Sequence, residues 1–225
     1  MAVIEPTRRN PEHPQQIKKN SPGLRLWHWL NALVISGSLL TVLLDSTLLK
    51  TRANAVLIKN NLQDGGVVVS DKQARSVAHE LSDKVWTLHT YIGYVLVGLV
   101  VLRLLLEFFQ VADQKFIRGL RNAYSKYQTV KQNRETARHD FWVKTLYAMF
   151  YLMIIIQAAT GLCLAFEDDV PALKAIHAFR QIHSFTMYLI LGFIFLHLAG
   201  VFLAERKDSP GIVSDMINGG REEQL

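Results

Sequence analysis

The sequence predicts an all-α membrane protein: a four-transmembrane-helix bundle with both termini cytoplasmic, an outer loop helix and an inner amphipathic segment. Three observations lead there. Half of the 225 residues are hydrophobic and a fifth are charged, but the charges are segregated. The segments 26–44, 85–106, 145–166 and 181–204 are nearly free of Asp, Glu and Lys. Each reaches or approaches the roughly 20 residues a helix needs to cross a hydrocarbon core. Lys and Arg are distributed unevenly about these segments: seventeen fall on the side of the termini and of the 103–144 connection, eight on the other. Positive charge near span ends marks the cytoplasmic face, which places both termini there. The net charge of +6 then belongs to topology, and a nucleic-acid partner is not indicated.

Residues 1–24 are polar, hold Pro6, Pro11, Pro14 and Pro22, and read as a disordered cytoplasmic tail without a cleavable signal peptide. The four-helix domain is expected over 25–206. Its outer loop, between the first two helices, contains Gln63, Asp64, Gly65 and Gly66 as a turn, then an extended Val67, Val68 and Val69. Ser70 with Gln73 forms a capping box opening a short helix toward Ser82. This loop is a candidate docking surface. On the inner side, Phe116, Leu120, Tyr124 and Tyr127 recur at helical spacing among Lys and Arg, as in an amphipathic helix lying on the inner leaflet. Residues 207–225 read as a second cytoplasmic tail.

The histidines carry the chemistry. His183 and His197 share the fourth helix fourteen residues apart. At about 1.5 Å and about 100° per residue, that spacing gives an axial step of about 21 Å and returns the second ring to within about 40° of the first. Helix polarity assigns depths: His89 and His183 lie at the outer level, His28 and His197 at the inner. Two bis-histidine, non-covalent b-type haems stacked across the membrane are the economical reading. Taken singly, His28 or His89 reads more readily as an interfacial residue wetted by headgroups. His197, several residues inside a span, is costly there without a function.

Neighbouring residues fit the same arrangement. Gly93 lies four residues from His89 and Gly200 three from His197, where a missing side chain lets a porphyrin approach; ordinary helix packing is the other reading. Arg25 and Arg103 are candidate partners for haem propionates, or positive-inside anchors. Ala158, Ala159 and Gly161 form a close-contact face on the third helix, which supplies no His. His13, His79, His139 and His177 are read as non-ligands. Cys163 is the single cysteine, so a disulfide within the chain, a C-x-x-C-H attachment site and a cysteine-ligated cluster are excluded. No nucleotide-binding or hydrolase motif occurs.

Arg25-Leu-Trp-His28-Trp-Leu-Asn, His89 with Gly93 and Arg103-Leu, Thr160-Gly161, and His183 with His197 resemble the bacterial cytochrome b561 superfamily. Within it the chain is most similar to the b-type cytochrome subunit of membrane-bound nickel–iron hydrogenases, including the ending Glu205-Arg206-Lys207-Asp208 and Val213 to Gly219. The resemblance runs from Ser21 almost to the end of the chain. The loop between the first two helices departs from it. The resemblance implies His28, His89, His183 and His197 as axial ligands, an outer-side iron–sulfur or hydrogenase-type donor subunit, and quinone reduced in the inner membrane. Asn31, one turn after His28, is a candidate quinone contact, or a packing residue. Three other functions stay open: a stand-alone oxidoreductase passing electrons from a small donor such as superoxide to quinone, a membrane anchor without redox role, and a histidine-lined metal transporter. The transporter is disfavoured, because mid-membrane carboxylates are lacking.

Overall fold

The computed structural model describes residues 8–9, 17–18, 22–109, 116–129, 134–206 and 211–219. It is all-α apart from one two-residue ladder, β1 (Arg8–Arg9) antiparallel to β2 (Ile17–Lys18), inside the stretch expected to be a disordered tail. Among the described residues eight helices follow: α1 (Pro22–Thr47), α2 (Thr51–Asp64), α3 (Asp71–Phe109), α4 (Phe116–Thr129), α5 (Arg134–Ala165), α6 (Pro171–Lys174), α7 (Ala178–Arg206) and α8 (Ile212–Asn218). Four of them, α1, α3, α5 and α7, are long and apolar enough to cross a membrane, as the expected bundle requires. Large apolar side chains along them stay uncovered by protein, among them Phe195 at 73% and Leu196 at 66% exposure on α7. Such a surface suits hydrocarbon rather than water.

Helix boundaries differ from the sequence expectation in one direction: the helices are longer. α1 starts at Pro22, which suits a first helical turn because its missing N–H has no partner to lose there. The capping box forms as expected: the Ser70 backbone N–H donates to Gln73 Oε1 at 2.9 Å and the Gln73 N–H to Ser70 Oγ at 3.3 Å. The helix it opens does not stop near Ser82. No Gly or Pro interrupts residues 71–92, so it runs without a break into the second span as α3. α5 likewise begins well before residue 145, at Arg134.

The chain divides into two compact units, Asn31–Gly98 and the remainder, with the divisions falling inside α1 and α3. In the first unit, α2 packs on the start of α3 through Ala55, Ala74 and Ala78, flanked by Ile58 and Val69. Three alanines at one crossing let the two backbones approach closely. α2 ends at Gly65, and Gly66 takes φ +79, a left-handed conformation that favours glycine. The turn expected at residues 63–66 is thus the end of a helix that periodicity did not reveal. Ser82 Oγ also donates to Asp45 Oδ1 at 2.5 Å, tying α3 to the end of α1.

In the second unit, α5 packs along α7 and α4 packs on α5. α4 is amphipathic, but part of its apolar face is covered by protein: Ala123 is buried, and Tyr127 stacks on Phe141 at 5.5 Å between ring centres. The stretch expected as a plain C-terminal tail contains α8, bounded by Gly211 (φ +88) and Gly219 (φ +100). The Glu205 carboxylate accepts the backbone N–H groups of Gly211 at 2.8 Å and Val213 at 3.1 Å, which fixes the return of the chain against the end of α7.

Ala78 has no exposed surface where α2 crosses α3. Ala78→Leu is expected to cost about 1–3 kcal/mol by overpacking this crossing. Faster amide exchange across α2, with α5 and α7 unaffected, is the measurement that checks it.

Candidate functional site

The second unit brings His28 and His197 together. Their ring centres lie 6.3 Å apart with planes inclined at 56°. Both belong to membrane-length helices, and the Nδ1 of His28 is buried with no hydrogen-bond partner among the described residues. The His197 ring is supported by Phe193, stacked at 6.1 Å and 5°, and Phe193 stacks in turn on Phe150 of α5 at 4.6 Å. Phe193 and His197 stand four residues apart, one helical turn, so the same α7 face presents both. His28 also meets Trp29 edge-on at 5.2 Å.

His183 is held differently, by polar groups of α5. Thr160 Oγ1 lies 3.0 Å from its Nδ1, and Gln157 Nε2 lies 3.0 Å from its Nε2. The Thr160 hydroxyl proton is directed at the Ile156 carbonyl, 2.7 Å away, so toward the ring this oxygen accepts. A proton on Nδ1 satisfies this geometry and leaves an Nε2 lone pair to accept from the Gln157 amide. Gly161 completes the contact: a Cβ there would lie 3.1 Å from His183 Cε1, so a side chain would press on the ring. Of the close-contact face expected on the third span, Gly161 backs His183, Ala158 is buried and Ala159 is exposed.

The first unit repeats this arrangement at His89. Thr41 Oγ1 lies 2.8 Å from His89 Nδ1 and directs its proton to the Ser38 carbonyl at 2.6 Å. Ser38 Oγ is 3.4 Å from the same nitrogen. Again Nδ1 is the donor and Nε2 the lone pair. Thr41 is 3% exposed and Thr160 6%, so each hydroxyl is buried along with its bond.

The remaining sequence candidates have other surroundings. Arg25 Nη1 donates to the Ile217 carbonyl at 2.5 Å, and Trp29 Nε1 to the Met216 carbonyl at 3.1 Å. Both fasten the C-terminal end of α8 to the start of α1, and a Cβ at Gly219 would lie 3.4 Å from the Arg25 guanidinium carbon. Arg103 Nε donates to Tyr151 Oη at 3.3 Å, with its guanidinium over the Tyr151 ring. It lines an apolar recess with Trp27, Phe150 and Ile154. Asn31 is 4% exposed. Gly93 and Gly200 each face open space where a Cβ would stand, leaving room beside His89 and His197. His79 pairs with Asp83 at 3.6 Å, and His177 is exposed. His13 lies outside the described residues, and the side chain of His139 does as well. Among the described residues no three or more His, Cys, Asp or Glu converge.

Thr41 and Gln157 were not singled out by sequence reasoning, and Thr160 entered only as part of a motif beside Gly161. A polar residue inside an apolar span was the available signal. If Arg25 and Trp29 hold α8, Arg25→Met and Trp29→Phe should each raise amide exchange across Ile212–Asn218, and the double substitution should raise it further.

Residues 19–219 match the family model described as prokaryotic cytochrome b561. No match was found among curated proteins or among solved structures. With the match covering nearly the whole chain, all four membrane-length helices and the four histidines included, this chain belongs to the prokaryotic cytochrome b561 family, membrane b-type cytochromes that bind haem b and transfer electrons.

Proposed function

We propose that this chain is a dihaem cytochrome b that carries electrons across the bacterial inner membrane, from an outer-side iron–sulfur or hydrogenase-type subunit to quinone. The observation that carries the reading is the His28–His197 separation. An imidazole bound at about 2.0 Å has its ring centre about 3.1–3.2 Å from the metal, so two rings opposed on one iron have centres about 6.3 Å apart. The observed separation is 6.3 Å. Because the planes of two axial imidazoles are free to rotate about the axis they share, a 56° inclination is acceptable.

Other features fit haem as well. Gly200 leaves open space one turn from His197. His89 and His183 each present an Nε2 lone pair, the form in which imidazole ligates a metal. Their pairing on a second haem rests on helix polarity in the sequence, which gives them one depth.

Bound haem supplies a one-electron ferric–ferrous couple. The residues determine what else is excluded. Histidines at both axial positions leave no site for oxygen or substrate, so the donor and quinone react elsewhere. Cys163 is the single cysteine, so the haems are held without covalent attachment. Inward transfer of electrons against a negative-inside potential costs about 2.3 kcal/mol per charge per 100 mV, energy drawn from the redox difference between donor and quinone. The outer loop, now seen to contain α2, offers Val56, Leu57 and Val68 as exposed apolar groups for a donor subunit.

His28→Ala and His197→Ala should each abolish the same one of two haem signals in the reduced-minus-oxidised spectrum, and His89→Ala and His183→Ala the other. Retention of both haems in any of these variants would remove that residue from the ligand set. Asn31, buried one turn after His28, is the proposed quinone partner; Asn31→Leu is expected to lose quinone reduction while keeping both haems. Unchanged turnover would assign Asn31 to packing alone.

A further inference from the structure

His89 and His183 share a device that His28 does not. In each, a buried threonine on a neighbouring helix has spent its single hydroxyl proton on a backbone carbonyl of its own helix: Thr41 on Ser38, Thr160 on Ile156. Threonine in an apolar helix commonly makes that back-bond merely to satisfy itself, and Thr90 and Thr145 make it too, to Trp86 and Phe141. What distinguishes Thr41 and Thr160 is that the lone pairs left over point at a histidine nitrogen, at 2.8 and 3.0 Å. With its proton committed, the hydroxyl can only accept, so Nδ1–H of the imidazole must donate. Two consequences follow. The ring is locked in the tautomer with Nε2 unprotonated, and donation from Nδ1–H makes the imidazole a stronger electron donor to whatever Nε2 binds.

We propose that Thr41 and Thr160 are positioning residues for iron ligation: they fix Nε2 of His89 and His183 as the coordinating nitrogens and lower the reduction potential of the haem these histidines hold. The inference rests on the dihaem reading above and adds an order to it. A more basic axial imidazole stabilises ferric over ferrous iron. His28, whose buried Nδ1 has no hydrogen-bond partner, gets no such stabilisation. The His89–His183 haem is therefore the lower-potential one, which makes transfer toward the His28–His197 haem favourable in the absence of a membrane potential. Gln157, with its amide 3.0 Å from Nε2 of His183, favours the same tautomer by donating to that nitrogen.

Redox titration of the purified haem-containing protein, followed in the visible spectrum, tests this. Thr160→Val should raise the midpoint of one haem, changing its ferrous-to-ferric ratio at fixed potential by about tenfold, or about 59 mV for one electron, and leave the other haem in place. Thr160→Ser should restore the wild-type midpoint. Thr41→Val should move the same haem in the same direction by less, because Ser38 Oγ still lies 3.4 Å from the ring nitrogen. Midpoints unmoved with both haems present, or a serine variant shifted as far as the valine one, would overturn the role of the threonines while leaving the dihaem reading intact. A wild-type protein without haem would overturn both. Should the valine variants lose haem, redox-difference infrared spectra of the wild type labelled with ¹⁵N-histidine decide the matter. Hydrogen-bonded Nδ1–H bands from the lower-potential haem support the proposal, and free Nδ1–H bands from that haem refute it.

Discussion

An imidazole inside a membrane helix has to satisfy two nitrogens where no water is available, and much of the arrangement here follows from that constraint. A buried polar atom without a partner costs free energy on the order of 1–3 kcal/mol, and more in an apolar medium. His89 and His183 meet the constraint at Nδ1 with a threonine oxygen whose own proton is engaged. That leaves one lone pair per ring, fixed in tautomer and direction. At His28 the buried Nδ1 has no protein partner, and the nearest aromatic groups are Trp29 and His197.

The scaffold can be understood as what keeps those rings still. α5 supplies no histidine, yet it provides Thr160, Gln157 and the bare surface of Gly161 behind His183, and Phe150 behind the Phe193–His197 stack. A helix without histidines is thus a structural wall for both histidines of α7. At the other end of that helix the chain turns back through Glu205 into α8, whose last carbonyls take hydrogen bonds from Arg25 and Trp29 on either side of His28. The entry of α1 is clamped on both flanks of His28. Arg25 serves this clamp by one of its nitrogens, so any propionate contact would have to be shared with it.

Much of this could be read from residues alone, for stated reasons. Runs of apolar residues identify spans because the hydrocarbon thickness sets their length. The fourteen-residue step between His183 and His197 is legible because helix geometry is regular, and Ser70 with Gln73 because a capping box is a local pattern. What escaped were features made by distant parts of the chain. α2 has no strong apolar period, only Ala55, which matters once Ala74 and Ala78 of α3 are beside it. α8 is seven residues long and depends on Arg25 and Trp29, more than 180 residues away in sequence. Thr41 looks like an ordinary span residue until His89 is placed 2.8 Å from it.

The central claim is that α7 serves two haems at two depths, one at His183 and one at His197. The most direct test is haem stoichiometry of the unmutated protein purified in detergent, measured as pyridine haemochrome per polypeptide alongside an optical redox titration. Two haems b per chain, titrating as two separate one-electron steps, is the predicted result. One haem per chain, or a single one-electron step accounting for all of the absorbance change, would contradict it.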